Sequence, residues 1–272
     1  MHKLLRAEFS YLRLMKLFWA ELLALIGYGL LIVIGGYDMA VKYGLSLEGF
    51  AAESLFQHAS LFGIMGAVLD SLLVGTDYSD GIIRNKLVVG RSRTQIYLSN
   101  FIACAAAGAV QLFFASAVIW TFIMLLMGRP QIGAPAFLST CIVMLFLCVS
   151  YASIYNFVSM LVSGKAYASI LNILLAVAFL ITASFLLSKL AIPETMQPYE
   201  MGANPYYVSG VKRRVYQFFA DCLPAGQTLQ MANLSLVWKM PGALFRYCGL
   251  SAAIAVILNT AGIILFRHKD LK

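Results

Sequence analysis

Two acidic side chains interrupt otherwise apolar stretches, Glu21 in FWAELLALIG and Asp70 in GAVLDSLLVG. An ionisable group inside a membrane span marks either a proton relay or an ion pair that fastens helices together. An unpaired acid at mid-bilayer costs about 2.5–3.5 kcal/mol, and less near the interface. Both acids fall toward the inner ends of their apolar runs, so the expected role is pairing with Arg13, Lys16 or Arg93; a relay is the alternative. Other chemistry is thinly represented. His2, His58 and His268 are far apart and carry no ligand spacing. Five cysteines are scattered without a CxxC pattern; Cys104, Cys141 and Cys148 sit in apolar runs as small hydrophobes, and a Cys222–Cys248 bond stays open. Phosphate-loop, HExxH and GxSxG patterns are missing: Gly164–Lys165 lacks the earlier glycine and the following Ser/Thr. No catalytic residue, metal ligand or cofactor-binding residue is expected on this chain.

The richest remaining segment is DYSDGIIRNKLVVGRSRTQIY, Asp77 to Tyr97. Ser79 suits an N-cap, Ile83 and Leu87 form an i,i+4 apolar pair, and Gly90 suits the residue after a helix. Ser92 with Gln95 gives a capping-box pattern for the next helix. The spacing predicts a short capped helix over 79–90, with Arg84, Lys86, Arg91 and Arg93 on or near it. A basic loop that contacts anionic lipid is the plainer alternative.

What positions these residues is a membrane bundle. The chain of 272 residues is 61% hydrophobic and 12% charged, with mean hydropathy +0.83; soluble proteins hold about 25% charged residues. That excludes a soluble enzyme. The net charge of +8 then reflects basic residues bordering spans, and a nucleic-acid partner is not expected. Apolar runs predict six spans near 17–36, 54–76, 97–127, 136–162, 166–192 and 243–266. All seven prolines fall outside them, as helix interiors require. Residues 1–16 read as an uncleaved amphipathic interfacial helix, with Leu4, Leu5, Phe9 and Leu12 at helical spacing. Basic residues in the short loops predict both termini in the cytoplasm. The outer segment 193–242 predicts one or two short helices, from Val208, Val211, Val215 and Phe218 before Pro224. In the third run, Ala103/Ala107 and Cys104/Gly108 form a small-residue face that permits close helix approach.

Three stretches carry a family resemblance. Asp80-Gly81-Ile82-Ile83-Arg84-Asn85-Lys86, with Gly90-Arg91-Ser92-Arg93 and Ile96-Tyr97-Leu98-Ser99, resembles the segment after the second span in permease subunits of type-2 ATP-binding-cassette (ABC) exporters. Asp221-Cys222-Leu223-Pro224-Ala225-Gly226-Gln227 is similar to their outer stretch before the last span, and Phe266 to Lys272 is similar to their C-terminus. Ile82 departs from the threonine common there. The resemblance implies one all-α integral membrane permease domain over 1–272. It would comprise six transmembrane helices, an N-terminal interfacial helix, a cytosolic coupling segment at 77–96 and short outer helices. It further implies an ATPase-subunit interface at Asp80, Gly81, Ile83, Arg84, Asn85, Lys86, Leu87, Arg91 and Arg93, and a second permease subunit, identical or paralogous. Two cytosolic ATPase subunits would bind ATP and Mg, and the complex would sit in a bacterial plasma membrane among its lipids. Amphipathic or antimicrobial peptides are the expected cargo; lipid, polysaccharide, drug or ion is the alternative within the same architecture. A gradient-driven carrier is the rival class, with Glu21 and Asp70 as its candidate relay.

Overall fold

The computed structural model describes residues 1–130, 132–195, 204–232 and 242–270. Among these, every extended element is a helix, and six are long and apolar enough to cross a membrane. In chain order they are α1 (His2–Leu14), α2 (Lys16–Tyr43), α3 (Leu47–Ser54), α4 (Ala59–Ser79), α5 (Ile82–Val88) and α6 (Arg93–Leu126). Then follow α7 (Ala134–Leu161), α8 (Lys165–Leu190), α9 (Gly210–Cys222), α10 (Pro224–Met231) and α11 (Ala243–His268). The chain is a multi-pass, all-helical protein with six candidate spans.

The predicted spans hold, and their ends differ for local reasons. The first helix runs on to Tyr43 because no proline or cap stops it before Gly44, whose φ of +63° closes the helix in the left-handed region. The second span is broken: α3 ends at Ser54, and residues 55–58 form turns before α4 begins. At 34 residues α6 is about 51 Å long at ~1.5 Å per residue, well beyond a ~30 Å hydrocarbon layer. Proline sits where a helix tolerates it, Pro135 and Pro224 each in the first turn of a helix; Pro198 and Pro241 lie outside the described residues.

α4 and α7 are the most buried spans; α2, α6, α8, α10 and α11 pack around them. Close approach depends on small residues. The small face of α6 is spent inside the subunit: Ala103, Cys104 and Ala107 are buried, and a side chain at Gly108 would strike the Phe62 ring. Likewise Gly262 leaves room for the Tyr97 ring. Asn172 donates to Ser159 Oγ at 2.8 Å and to the Tyr155 carbonyl at 3.3 Å, joining α8 to α7.

Two apolar clusters follow. One occupies the middle of the bundle around Leu25, Phe62, Ile119, Tyr151 and Tyr247. The other fills the end that carries α1 and the last turn of α11, around Leu12, Phe18, Ile83, Ile96, Tyr97 and Phe266. At the far end α9 and α10 form a helical pair. α10 packs among α4, α7, α8 and α9, and its Thr228 Oγ1 lies 3.4 Å from the Tyr151 hydroxyl, well inside α7. A side chain at Gly226 would collide with the Ala220 carbonyl. Asp221 gathers this pair: Arg246 lies 3.0 Å away, and Gln217 and Gln230 donate to its Oδ1 at 2.8 and 3.2 Å. Gln227 donates to the Asp221 carbonyl at 2.7 Å and accepts from Ser251 at 2.9 Å. Cys222 and Cys248 are free thiols here.

The alternation of six helices places Ser92 and Ser209 at opposite ends. Gly210 itself has φ +62°, so the exposed Ser209 beside it is the better labelling position. On a cysteine-free background, Ser92→Cys and Ser209→Cys should react with an impermeant maleimide from opposite faces of sealed vesicles. Labelling of both from one face would refute six crossings.

Candidate functional site

The segment between α4 and α6 is held by one lysine. Lys86 Nζ lies 2.5 Å from Glu8 Oε1 on α1 and 2.6 Å from Asp77 Oδ2 on α4. Asn100 of α6 also donates to Asp77 Oδ2, at 3.4 Å. All three charged side chains are largely withdrawn from solvent, at 12% exposure for Lys86, 4% for Glu8 and 6% for Asp77. Burial works against the Lys86 ammonium, but the facing Asp77 and Glu8 carboxylates outweigh it and hold its pKa above the ordinary lysine value. Glu8 is raised too, first by burial and then by the neighbouring Asp77 charge, with Lys86 pulling the other way.

Glu8 escaped the sequence reading, although a signal was there. Leu4, Glu8 and Leu12 stand at four-residue spacing and all three are buried. A glutamate in the apolar stripe of an amphipathic helix needs a buried cationic partner, and Lys86 supplies it.

The predicted short helix exists but is shorter. α4 continues to Ser79, whose hydroxyl donates to the Thr76 carbonyl at 3.2 Å and does not cap α5. Gly81, at φ +69°, turns the chain instead. Gly90, at φ +85°, ends the helix as its position predicts, and Ser92 Oγ accepts from Gln95 N at 3.2 Å to start α6.

The expected interface residues divide between two faces: Asp80, Arg84 and Asn85 are exposed, whereas Ile83, Lys86, Leu87 and Arg93 turn toward the bundle. Ile83 is 1% exposed and packs within the apolar cluster of its own chain, with Leu87 against it. Neither is an outward anchor, because α5 needs that apolar edge to seat on α4 and α6. Lys86 is committed to Glu8 and Asp77. Arg93 donates to the carbonyls of Phe266 (3.0 Å) and Lys269, closing the end of α11. What faces outward is Asp80, Arg84, Asn85, Val88 and Val89, with Arg91 half-buried beside them. Val88 and Val89 are 86% and 76% exposed. Two adjacent valines on a charged tip have no packing role among the described residues.

The same end is tied to the C-terminal residues. Tyr78 OH donates to the Met160 carbonyl at 2.5 Å, and Lys269 Nζ donates to the Tyr78 hydroxyl at 2.9 Å and to Met160 O at 3.0 Å. Arg267 Nε reaches Thr94 Oγ1 at 3.0 Å. Burial lowers Lys269 to about 8. Thus α1, α4, α5, α6, α7 and α11 meet around the base of one exposed tip.

Glu21 and Asp70 do not pair with Arg13, Lys16 or Arg93. The chain is extended at Met15 between α1 and α2, which leaves Arg13 and Lys16 exposed while Glu21 points inward, 4% exposed. Glu21 Oε2 accepts from Gln111 Nε2 at 3.3 Å; that amide also donates to the Phe18 carbonyl at 3.2 Å. Asp70, 3% exposed, lines a small cavity with Gln111, Cys104, Cys148 and Tyr151. Among the described residues no group of histidine, cysteine or carboxylate side chains is arranged to hold a metal ion.

No protein-family model matches this sequence, and no curated protein matches it.

The buried triad yields a stability prediction. Lys86→Met leaves two carboxylates facing each other and should destabilise the protein by about 3–5 kcal/mol, read as thermal unfolding in detergent. Adding Glu8→Gln should restore part of the loss, because it removes one of the two like charges. The raised Glu8 contributes fully only below the ordinary glutamate value of about 4.3 and declines as pH rises through its shifted value. The raised Lys86 contributes fully below about 10.4 and is lost as pH climbs through its own. The gap between wild type and Lys86→Met should therefore persist at neutral pH and shrink in strongly alkaline buffer. Equal stability of the two at neutral pH would dismiss the triad as a structural clasp.

Proposed function

We propose that this chain is the transmembrane subunit of an ATP-driven exporter, and that α5 transmits the action of separate ATPase subunits to the bundle. One observation carries the reading: a short helix between two spans is anchored through Lys86 to α1 and α4, yet exposes Val88 and Val89 beside Arg84. A soluble motor can move membrane helices only through a rigid element that both partners touch. α5 meets that need, since a push on its tip is delivered to α1, α4 and α6 together. Its exposed apolar pair suits a hydrophobic slot on a partner, and Arg84 and Arg91 suit acidic residues around the rim. The ATP and Mg belong to that partner, and this chain hydrolyses nothing itself. A second permease subunit completes the path. The proposed membrane is the bacterial plasma membrane, with both termini on its cytoplasmic side. The family resemblance of 80–99, 221–227 and 266–272 supports the same reading; amphipathic or antimicrobial peptides are the proposed cargo, with lipid, polysaccharide, drug or ion as the alternative within the same architecture.

Two measurements test it. The tagged chain, purified from its native membrane, should bring down a soluble ABC ATPase in roughly equal amount; a stable preparation with no such partner contradicts the proposal. Val88→Asp with Val89→Asp should weaken that association more than about tenfold, or more than ~1.4 kcal/mol. A carboxylate would be buried unpaired at the contact, while folding is untouched because both positions face solvent. Ile83→Asp would not serve, since it places a charge in the chain's own core. Undiminished ATPase binding by the double variant would exclude the tip as the contact.

A further inference from the structure

We propose that Glu21, Gln111 and Asp70 form an intramembrane proton-binding site, at which the two carboxyl groups are held as neutral acids. The geometry is short of donors. Glu21 Oε1 and Gln111 Oε1 are both buried and neither has a hydrogen-bond partner among the described residues. Gln111 is fully buried and borders the cavity that Asp70 also lines, so an unpartnered acceptor and a buried carboxyl face one space. Three acceptor-bearing side chains cluster where the donors are the Gln111 amide and the weak Cys104 and Cys148 thiols, the Tyr151 hydroxyl facing Thr228.

Every element packed against the pair leaves this unchanged. α6 contributes Cys104 and Gln111; α7 contributes Cys148, Tyr151 and, more distantly, Tyr155. α8 places Asn172 on the Tyr155 carbonyl, and α10 places Thr228 on the Tyr151 hydroxyl. No cation stands among them; the ion pairs among the described residues lie elsewhere, at Lys86 and Arg246. Two ionised carboxylates in such a place would each lack a counter-charge in a low-dielectric interior. A proton on each removes the charge and supplies the missing donor, for the Gln111 oxygen or for a single water in the cavity. The alternative occupant is a small metal cation, which needs a fuller oxygen shell than these three side chains present.

A hydrophobic carbodiimide distinguishes the occupants, because it adds a protonated carboxyl across its C=N bond and leaves an ionised one unreacted. The full-length protein in lipid vesicles at neutral pH, treated with dicyclohexylcarbodiimide and read by peptide mass spectrometry, should carry the adduct on Glu21 or Asp70. The water-exposed Asp38 and Asp80 should carry far less. Exchanging choline for sodium in the buffer should not change the yield. No adduct at either residue, or protection by sodium, overturns the proposal, the second outcome in favour of a cation site. A companion measurement covers poor reagent access. Glu21→Gln and Asp70→Asn mimic the neutral acids and should each retain wild-type thermal unfolding; loss of folded protein in both would show that the bundle requires the charged forms. Neither readout involves an ATPase, so this site and the exporter assignment fail independently.

Discussion

One buried ammonium organises the end of the molecule that meets its surroundings. Burying two carboxylates within reach of each other is unfavourable unless a cation lies between them, and Lys86 is the cation. The three groups come from α1, α4 and α5, so the N-terminal helix and the short connecting helix are fixed by the same charge. Remove it and α1 is left with the narrow apolar edge of Leu4 and Leu12, the half-buried Leu5 and the Trp19 indole on the Arg13 carbonyl. The position of the exposed tip is therefore an electrostatic result, refined by apolar packing of Ile83 and Leu87.

Charge at this end is handled by pairing and at the core by neutrality. Arg93 and Lys269 spend their donors on backbone carbonyls of Phe266, Lys269 and Met160, which are the orphan acceptors of α11 and α7. The bundle thus uses its basic residues to close helix ends at one face. Glu21 and Asp70, a few turns deeper, find only an amide, a thiol and tyrosine rings. The same sequence contains both solutions because the supply of cations falls off sharply with depth.

How much of this was legible follows from which signals are local. Span existence was, because twenty apolar residues are their own evidence; so were Gly90, the Ser92 cap and the helix of 210–222, each fixed by neighbours in sequence, whereas α10 begins at the Pro224 expected to break the run. The break at 55–58 was not, since no proline or glycine marks it and it is set by packing against α2. On α5 the outward Arg84 and Asn85 were legible, but Ile83, Lys86 and Leu87 were placed on that same face and turn inward. Seven residues make under two full turns, and which edge is buried depends on α4 and α6 rather than on the pattern itself. The expected pairing failed for a related reason: for Glu21, proximity in sequence to Arg13 and Lys16 says nothing once the extended Met15 redirects the chain, and Arg93, a candidate partner for Asp70, is spent on the Phe266 and Lys269 carbonyls.

The helical pair at the far end has a mechanical corollary. Asp221 holds Arg246, Gln217 and Gln230 at once, and Gln227 ties the Asp221 carbonyl to Ser251 on α11. Because these bonds share acceptors, loosening one leaves its partners misaligned, and Gly226 presses directly on Ala220 with no side chain to slide. α9 and α10 cannot part from each other by degrees. Any opening at that face must carry the two helices together, as a single rigid flap.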